Sequence, residues 1–244
     1  MKSLWYVTVS VLIGAVGIIG SAAGTDYTAE PRDDTEKPPA LPEAVLNQTK
    51  PIFDGKSFDG WVQIPADSWE IKDGTMASKG AGRGVIYTKD DYKKYRLVFV
   101  MRHVSGNPDH QACVLIFCTH PEEGKKPLDA LGGIQFQPPN GGHWDYRPGQ
   151  NKAGMGFTSH QHPKFKPDEW FQVEMLVDAT AGTARMAVAQ PVGAKAVEVL
   201  SYKLPEAGKE GPIAWQMHNK GLFDEYKDVR IEIDPKTDEF LTTK

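Results

Sequence analysis

Cysteine is nearly missing from this chain. Its 244 residues hold two, Cys113 and Cys118, too few for a cysteine-based metal site or a disulfide framework. Both fall in one apolar run, QACVLIFC, which reads as a strand. Five positions along an extended strand span about 16 Å, and an odd spacing puts the two on opposite faces. A bridge needs α-carbons within about 7 Å. The expectation is two unbridged thiols, at least one buried. An excess of positive charge is also missing. The formal net charge is -4 and the Lys and Arg residues are scattered, so no basic stripe invites nucleic acid. No segment shows a long helical period, and no apolar run beyond the first 20 residues could span a membrane.

Several reaction motifs are absent as well. There is no G-x-S-x-G elbow, no H-E-x-x-H, and no glycine loop ending in Lys-Ser/Thr. The Glu-x-Asp-x-x-Glu strand of laminarinase-type sandwich glycosidases is missing, and with it the paired carboxylates of ordinary glycoside hydrolysis. The nearest run, Asp224 to Asp228, lacks the spacing.

What is present divides the chain into four parts. Residues 1–23 read as a signal peptide: Lys2, an apolar run from Leu4 to Gly20, then Ser21-Ala22-Ala23 at the cleavage positions. Cleavage would leave an exported protein, periplasmic or extracellular, with no membrane span in its mature form. Retention of this segment as an anchor is the lesser alternative. Residues 24–50 are acidic, Pro-rich and poor in large apolar side chains, the composition of a disordered linker. Residues 51–235 form the folded domain, and 236–244 a C-terminal tail.

The domain is a series of short strands with period-two alternation. Strand readings fall at 68–72, 84–88, 95–104, 111–118, 134–137, 154–158, 170–178, 184–190, 197–204, 211–218 and 229–233. Eleven such strands separated by turns point to an all-β sandwich or jelly roll.

Chemistry concentrates between Gly132 and Gln150, GGIQFQPPNGGHWDYRPGQ. Ile134 and Phe136 alternate with Gln135 and Gln137. Pro138-Pro139-Asn140-Gly141-Gly142 ends that strand. His143, Trp144, Asp145, Tyr146 and Arg147 follow in what reads as a loop. Asp145 is placed to orient His143. Elsewhere Gln216 and His218 share a face opposite Trp215 and Met217, and Arg96 and Arg102 share a face opposite Leu97, Phe99 and Met101. Solvent-facing positions usually carry Lys, Glu, Ser and Thr. Gln, His and Arg beside Trp suit a sugar face, because amides and guanidinium pair with hydroxyls and aromatic rings stack on a pyranose. Ser159-His160-Gln161-His162 reads as a solvated loop rather than a metal pair.

These residues carry a family resemblance. Ile52 to Trp61 (IFDGKSFDGW) resembles the "LFNGKDLxGW" opening of the 3-keto-disaccharide hydrolase family, the 3-keto-alpha-glucoside-1,2-lyase/3-keto-2-hydroxy-glucal hydratase domain. Trp69 to Gly74 resembles its "WxVxDG", Asp91 to Leu97 its "YxDFxL" with Arg102 as the Arg that follows, and Glu169-Trp170 its "GEWN". Gly211 to His218 with Val229-Arg230-Ile231 resembles its closing "GPIxLQxH…FRNIxI". The likeness runs from about residue 51 to 235. It implies a concanavalin-like jelly roll of two antiparallel sheets with a carbohydrate site on the concave face. It also implies chemistry on 3-keto-glycosides, in which a base removes the proton at C2, the aglycone leaves C1, and water adds back. Such a site needs a base and a group for the enolate oxygen, either Arg or a divalent metal; the cofactor is left undetermined.

One departure matters. The family commonly has Glu-x-Gln where this chain has Gln135-Phe136-Gln137, and an amide cannot act as a base. The reading that results is an enzyme on 3-keto-glycosides with His143, Asp145 and Arg102 catalytic, and Gln135, Gln137, Trp144, Arg147, Gln216 and His218 binding the sugar. The alternative is a non-catalytic carbohydrate-binding sandwich.

Overall fold

The alternation resolves into two antiparallel sheets in the computed structural model, which describes residues 39–107, 113–122 and 130–243. The expected signal peptide and the linker up to residue 38 lie outside the described residues, as does His110. The strands are β1 Lys50–Pro51, β2 Trp61–Ile64, β3 Trp69–Lys72, β4 Thr75–Ser78, β5 Gly84–Thr88, β6 Lys94–Ser105, β7 Cys113–Ile116 and β8 Ile134–Gln137. After these come β9 Gly142–Asp145, β10 Phe157–Ser159, β11 Phe171–Asp178, β12 Thr183–Ala189, β13 Val197–Lys203, β14 Ala214–Met217 and β15 Phe223–Ile233. One sheet has six strands, ordered β2-β5-β14-β7-β8-β9. The other has nine, ordered β10-β13-β12-β11-β6-β15-β4-β3, with β1 also paired to β15.

Alternation decides which side chains enter the space between the sheets. From β6 come Leu97, Phe99 and Met101; from β8, Ile134 and Phe136; from β14, Trp215 and Met217. All are fully buried, and the Trp215 ring meets Phe99 edge-on at 5.6 Å and Tyr226 at 5.6 Å. The fold is a jelly-roll sandwich, as the strand pattern predicts.

The ends of the chain differ from expectation. Residues 39–50 are not linker: Glu43–Gln48 form a helix, α1. Leu41 and Val45 lie four apart and pack on Val98 and Val100, on the outer face of the nine-stranded sheet. Burying each such side chain stabilises by about 1.5–3 kcal/mol, which a composition average over a Pro-rich segment hides. The tail is also packed. Phe240 is buried against Leu176, Ala187 and Ala189 on that same face, and a short turn, Leu241–Thr243, follows it.

The cysteines remain unbridged and both are buried. They do not sit on opposite faces. Phe117 adopts φ 56°, in the left-handed region, so β7 ends at Ile116 and Cys118 turns to pack with Leu115 and Val85. Burial pushes the Cys118 thiol well up from its usual range, which suppresses the reactive thiolate. In a Cys113→Ser variant, the remaining thiol is therefore expected to stay silent to Ellman's reagent until the protein is unfolded. Rapid reaction of the native variant would contradict this packing. Close approach also explains Gly211: a β-carbon there would collide with the Cys118 carbonyl.

Candidate functional site

The outer face of the six-stranded sheet carries the site. Its residues are those that alternate away from the core. Gln216 of β14 lies opposite Cys113 of β7, Gln135 of β8 opposite Leu115, and Trp144 of β9 opposite Gln135. One end of this face is apolar, where Val85, Tyr87, Leu115, Leu131 and Ala214 cluster. The other end is polar and forms a cleft of about 300 Å3, bordered by Arg83, Cys113, Gln135, Gln137, His143, Trp144, Tyr146, Asn151 and His218.

Amides make its floor. Gln135 Nε2 donates to Gln216 Oε1 at 3.3 Å. Gln135 is 6% exposed and Gln216 1%, and among the described residues Gln216 Nε2 has no hydrogen-bond partner. A buried amide nitrogen left so is costly, and a polar ligand on this floor would satisfy it. At one end of the cleft, exposed Arg83 donates from Nε to the His218 carbonyl at 3.1 Å, and its terminal nitrogen lies 3.5 Å from His218 Nδ1. A guanidinium only donates, so this contact suits an unprotonated Nδ1 and leaves the hydrogen on Nε2.

The opposite end is built from β9 and the loop after it. The run from His143 is not a loop over the sheet. A turn through Gly141, at φ 76°, sends the chain back as β9, hydrogen-bonded to β8 at the sheet edge. Alternation then separates neighbours in sequence. Trp144 shares the cleft face with Gln135, whereas His143 and Asp145 lie opposite Phe136 and Ile134. His143 borders the cleft, but its ring stacks on Phe157 at 4.2 Å. Its Nδ1 lies 3.2 Å from the Gly141 carbonyl; a carbonyl only accepts, so Nδ1 carries the hydrogen and Nε2 the lone pair.

Asp145 does not orient His143. It is buried and binds Arg147, accepting from the Arg147 backbone N–H at 3.0 Å and from its guanidinium at 2.8 Å. The carboxylate holds the Arg147 guanidinium protonated above its already high range. Backbone bonds between Asp145 and Lys152 close the same loop, at 2.8 and 3.2 Å. The pair thus shapes the loop that delivers Tyr146 and Asn151. Asn151 Oδ1 accepts from Trp144 Nε1 at 3.1 Å.

Arg102 does not join the site. It lies on β6 of the other sheet, facing away from the core. There Nε donates to Glu225 at 2.7 Å, and the guanidinium sits 4.7 Å from the Trp170 ring centroid. Arg96 likewise faces away from the cleft, ion-paired to Glu174 and Glu232. The residues that sequence reasoning missed are Arg83 and Asn151. Arg83 lies in a Gly-rich link and Asn151 in a turn, so neither has a strand period to flag it. The signal available for Arg83 was one cation flanked by glycines directly before a strand. Among the described residues, no group of three or more His, Cys, Asp and Glu side chains is arranged to hold a metal ion, and no step below is routed through one.

An antiparallel two-sheet sandwich with an amide-floored, aromatic-sided cleft on one outer face defines the chain as a concanavalin-like jelly roll. Two solved structures share the fold. One is a protein of Parabacteroides distasonis described as a candidate glycosyl hydrolase, at 16% identity, TM-score 0.54, covering 76% of this chain and 98% of its own. The other is the carbohydrate-binding module CBM66 of Bacillus subtilis, at 11% identity, TM-score 0.50, covering 71% of this chain and 95% of its own. No curated protein matches the sequence. The chain belongs to the family of the 3-keto-alpha-glucoside-1,2-lyase-like domain, whose model matches residues 48–232.

Proposed function

We propose that this protein is an exported enzyme that cleaves 3-keto-glycosides in the cleft by elimination and hydration. The observation that carries the reading is the content of the cleft in a chain of this family: two imidazoles and a guanidinium around a floor of amides. Among the described residues no carboxylate borders it, which suits a reaction that needs one base rather than an acid–base pair of carboxylates.

The ketone at C3 acidifies the C2 hydrogen. His143 takes that proton at Nε2, its Nδ1 hydrogen being held by the Gly141 carbonyl. The C2–H electrons pass to the C3 oxygen as an enolate, which collapses to form the C1–C2 double bond as the C1–O bond breaks, its pair going to the aglycone oxygen and that oxygen taking the proton back from His143. His218, donating from Nε2, and Arg83 beside it stabilise negative charge on the C3 oxygen. Water then adds across the double bond, so the net result is hydrolysis. Gln135, Gln137 and Gln216 hold neighbouring hydroxyls. Asp145 and Arg147 support the loop and do not touch substrate.

A second reading has its own observation. Gln135 stands where the family commonly has Glu, and the His143 ring is turned toward Phe157. Both favour a module that binds sugar without turnover. Incubation of residues 39–244 with a 3-keto-glucoside separates the two. Release of the aglycone is expected, with or without added divalent metal. Saturable binding with no release would establish the binding module instead.

A further inference from the structure

The aromatic side of the cleft lies at its β9 end, next to Gln135 and away from Gln216 and His218. Gln216 is on β14 and Trp144 on β9, three strand spacings apart in the order β14-β7-β8-β9. Three spacings are about 14 Å, longer than one hexose ring is wide. A sugar held by Gln216 and His218, with its C2 side toward His143, therefore leaves the Trp144 side of β9 for the group on C1.

That end is built for a flat ring. The bond from Trp144 Nε1 to Asn151 lies in the indole plane and fixes the ring at its edge. Fixing the edge leaves the faces available for stacking. Tyr146 flanks it, with ring centroids 6.3 Å apart. Asn151 is itself held in place: it has φ 42°, a conformation that Asn and Asp adopt more readily than other side chains, and the Asp145–Lys152 backbone pair closes its loop.

We infer that Trp144, positioned by Asn151, is the stacking platform for the leaving group, so that the cleft selects glycosides whose aglycone is a ring, aryl or pyranosyl, over those with an alkyl aglycone. This rests on the cleft being a glycoside site. Asn151 is a positioning residue and Trp144 the contact.

The test is binding of unoxidised glucosides to the full chain by calorimetry. These lack the 3-keto group and cannot eliminate, so affinity is read apart from turnover. Phenyl, glucosyl and methyl glucosides of one anomer are compared. Phenyl glucoside is expected to bind about five- to tenfold tighter than methyl glucoside, and glucosyl glucoside to share at least part of that gain. Trp144→Ala and Asn151→Leu should reduce the phenyl-to-methyl ratio to about one. Asn151→Asp, which keeps an acceptor for the indole and tolerates the backbone conformation, should retain the ratio. Equal affinity of the wild type for phenyl and methyl glucosides, or a ratio that survives Trp144→Ala, overturns the platform and leaves the glycoside site standing. Failure of every glucoside to bind overturns both.

Discussion

Replacing Glu174 by alanine is expected to destabilise the protein by about 3–5 kcal/mol, a fall in Tm on the order of 10 °C for a domain of this size. Both Glu174 and Arg96 are 1% exposed. The carboxylate takes the Arg96 guanidinium, the backbone N–H of Leu241 at 2.9 Å, the N–H of Thr242 at 3.1 Å and the Thr242 hydroxyl at 2.6 Å. Removing it leaves the buried Arg96 cation to the partly exposed Glu232 and releases the C-terminal segment together, and Phe240 loses its seat on the sheet. Glu232 is the control. It also accepts from Arg96, at 2.8 Å, but is about one-fifth exposed. Glu232→Ala should cost no more than about 1 kcal/mol, in line with partly solvated pairs. Urea denaturation measures both. The double variant Arg96→Met/Glu174→Leu should recover only part of the loss, because it leaves no fully buried charge unpaired while the Leu241 and Thr242 donors still lose their acceptor. Equal effects of Glu174→Ala and Glu232→Ala would show that solvent, not burial, governs the pair.

His143→Ala should lower kcat on a 3-keto-glucoside by about 10²–10⁴-fold, the range for loss of a general base. His218→Ala should lower it by about 10²–10³-fold, the range for loss of one donor to a developing oxyanion. The two variants have different structural risks. His218 lies just past the end of β14, so its loss leaves the core intact. The His143 ring stacks on Phe157, so its removal opens a gap at the edge between the sheets. Equal urea midpoints for wild type and His143→Ala are therefore the condition for reading its rate as chemistry. If His218→Ala is silent while His143→Ala is dead, the C3 oxygen is held elsewhere. If His143→Ala is fully active, the base assignment fails and His218 becomes the group that handles the proton.

Part of the site was legible from residue order. Gln135 and Gln137 share one face of their strand, and Gln216 and His218 one face of theirs, because strand side chains repeat every two residues. The rest depended on pairings across the chain. Arg102 has the right chemistry and a strand to carry it, but β6 belongs to the opposite sheet, where Glu225 and Trp170 claim it. His143 and Trp144 are adjacent in sequence, yet the pairing of β9 with β8 puts Trp144 on the cleft face and the His143 ring at the sheet edge against Phe157. Arg83 and Asn151 come from irregular segments, whose direction is set by their partners, His218 and Trp144.

The sequence by itself determined the two-sheet sandwich, the family, and the polar face of β8 and β14, because alternation and turn chemistry are local properties of the chain. It also determined that the two thiols stay unbridged. Tertiary structure decided where the cleft lies, which cation borders it, and that residues 39–50 of the apparent linker and the tail pack as a cover over the nine-stranded sheet. Those outcomes turn on which distant strands become neighbours. A salt bridge such as Arg96 to Glu174 exists only once β6 and β11 pair and the last residues fold across them.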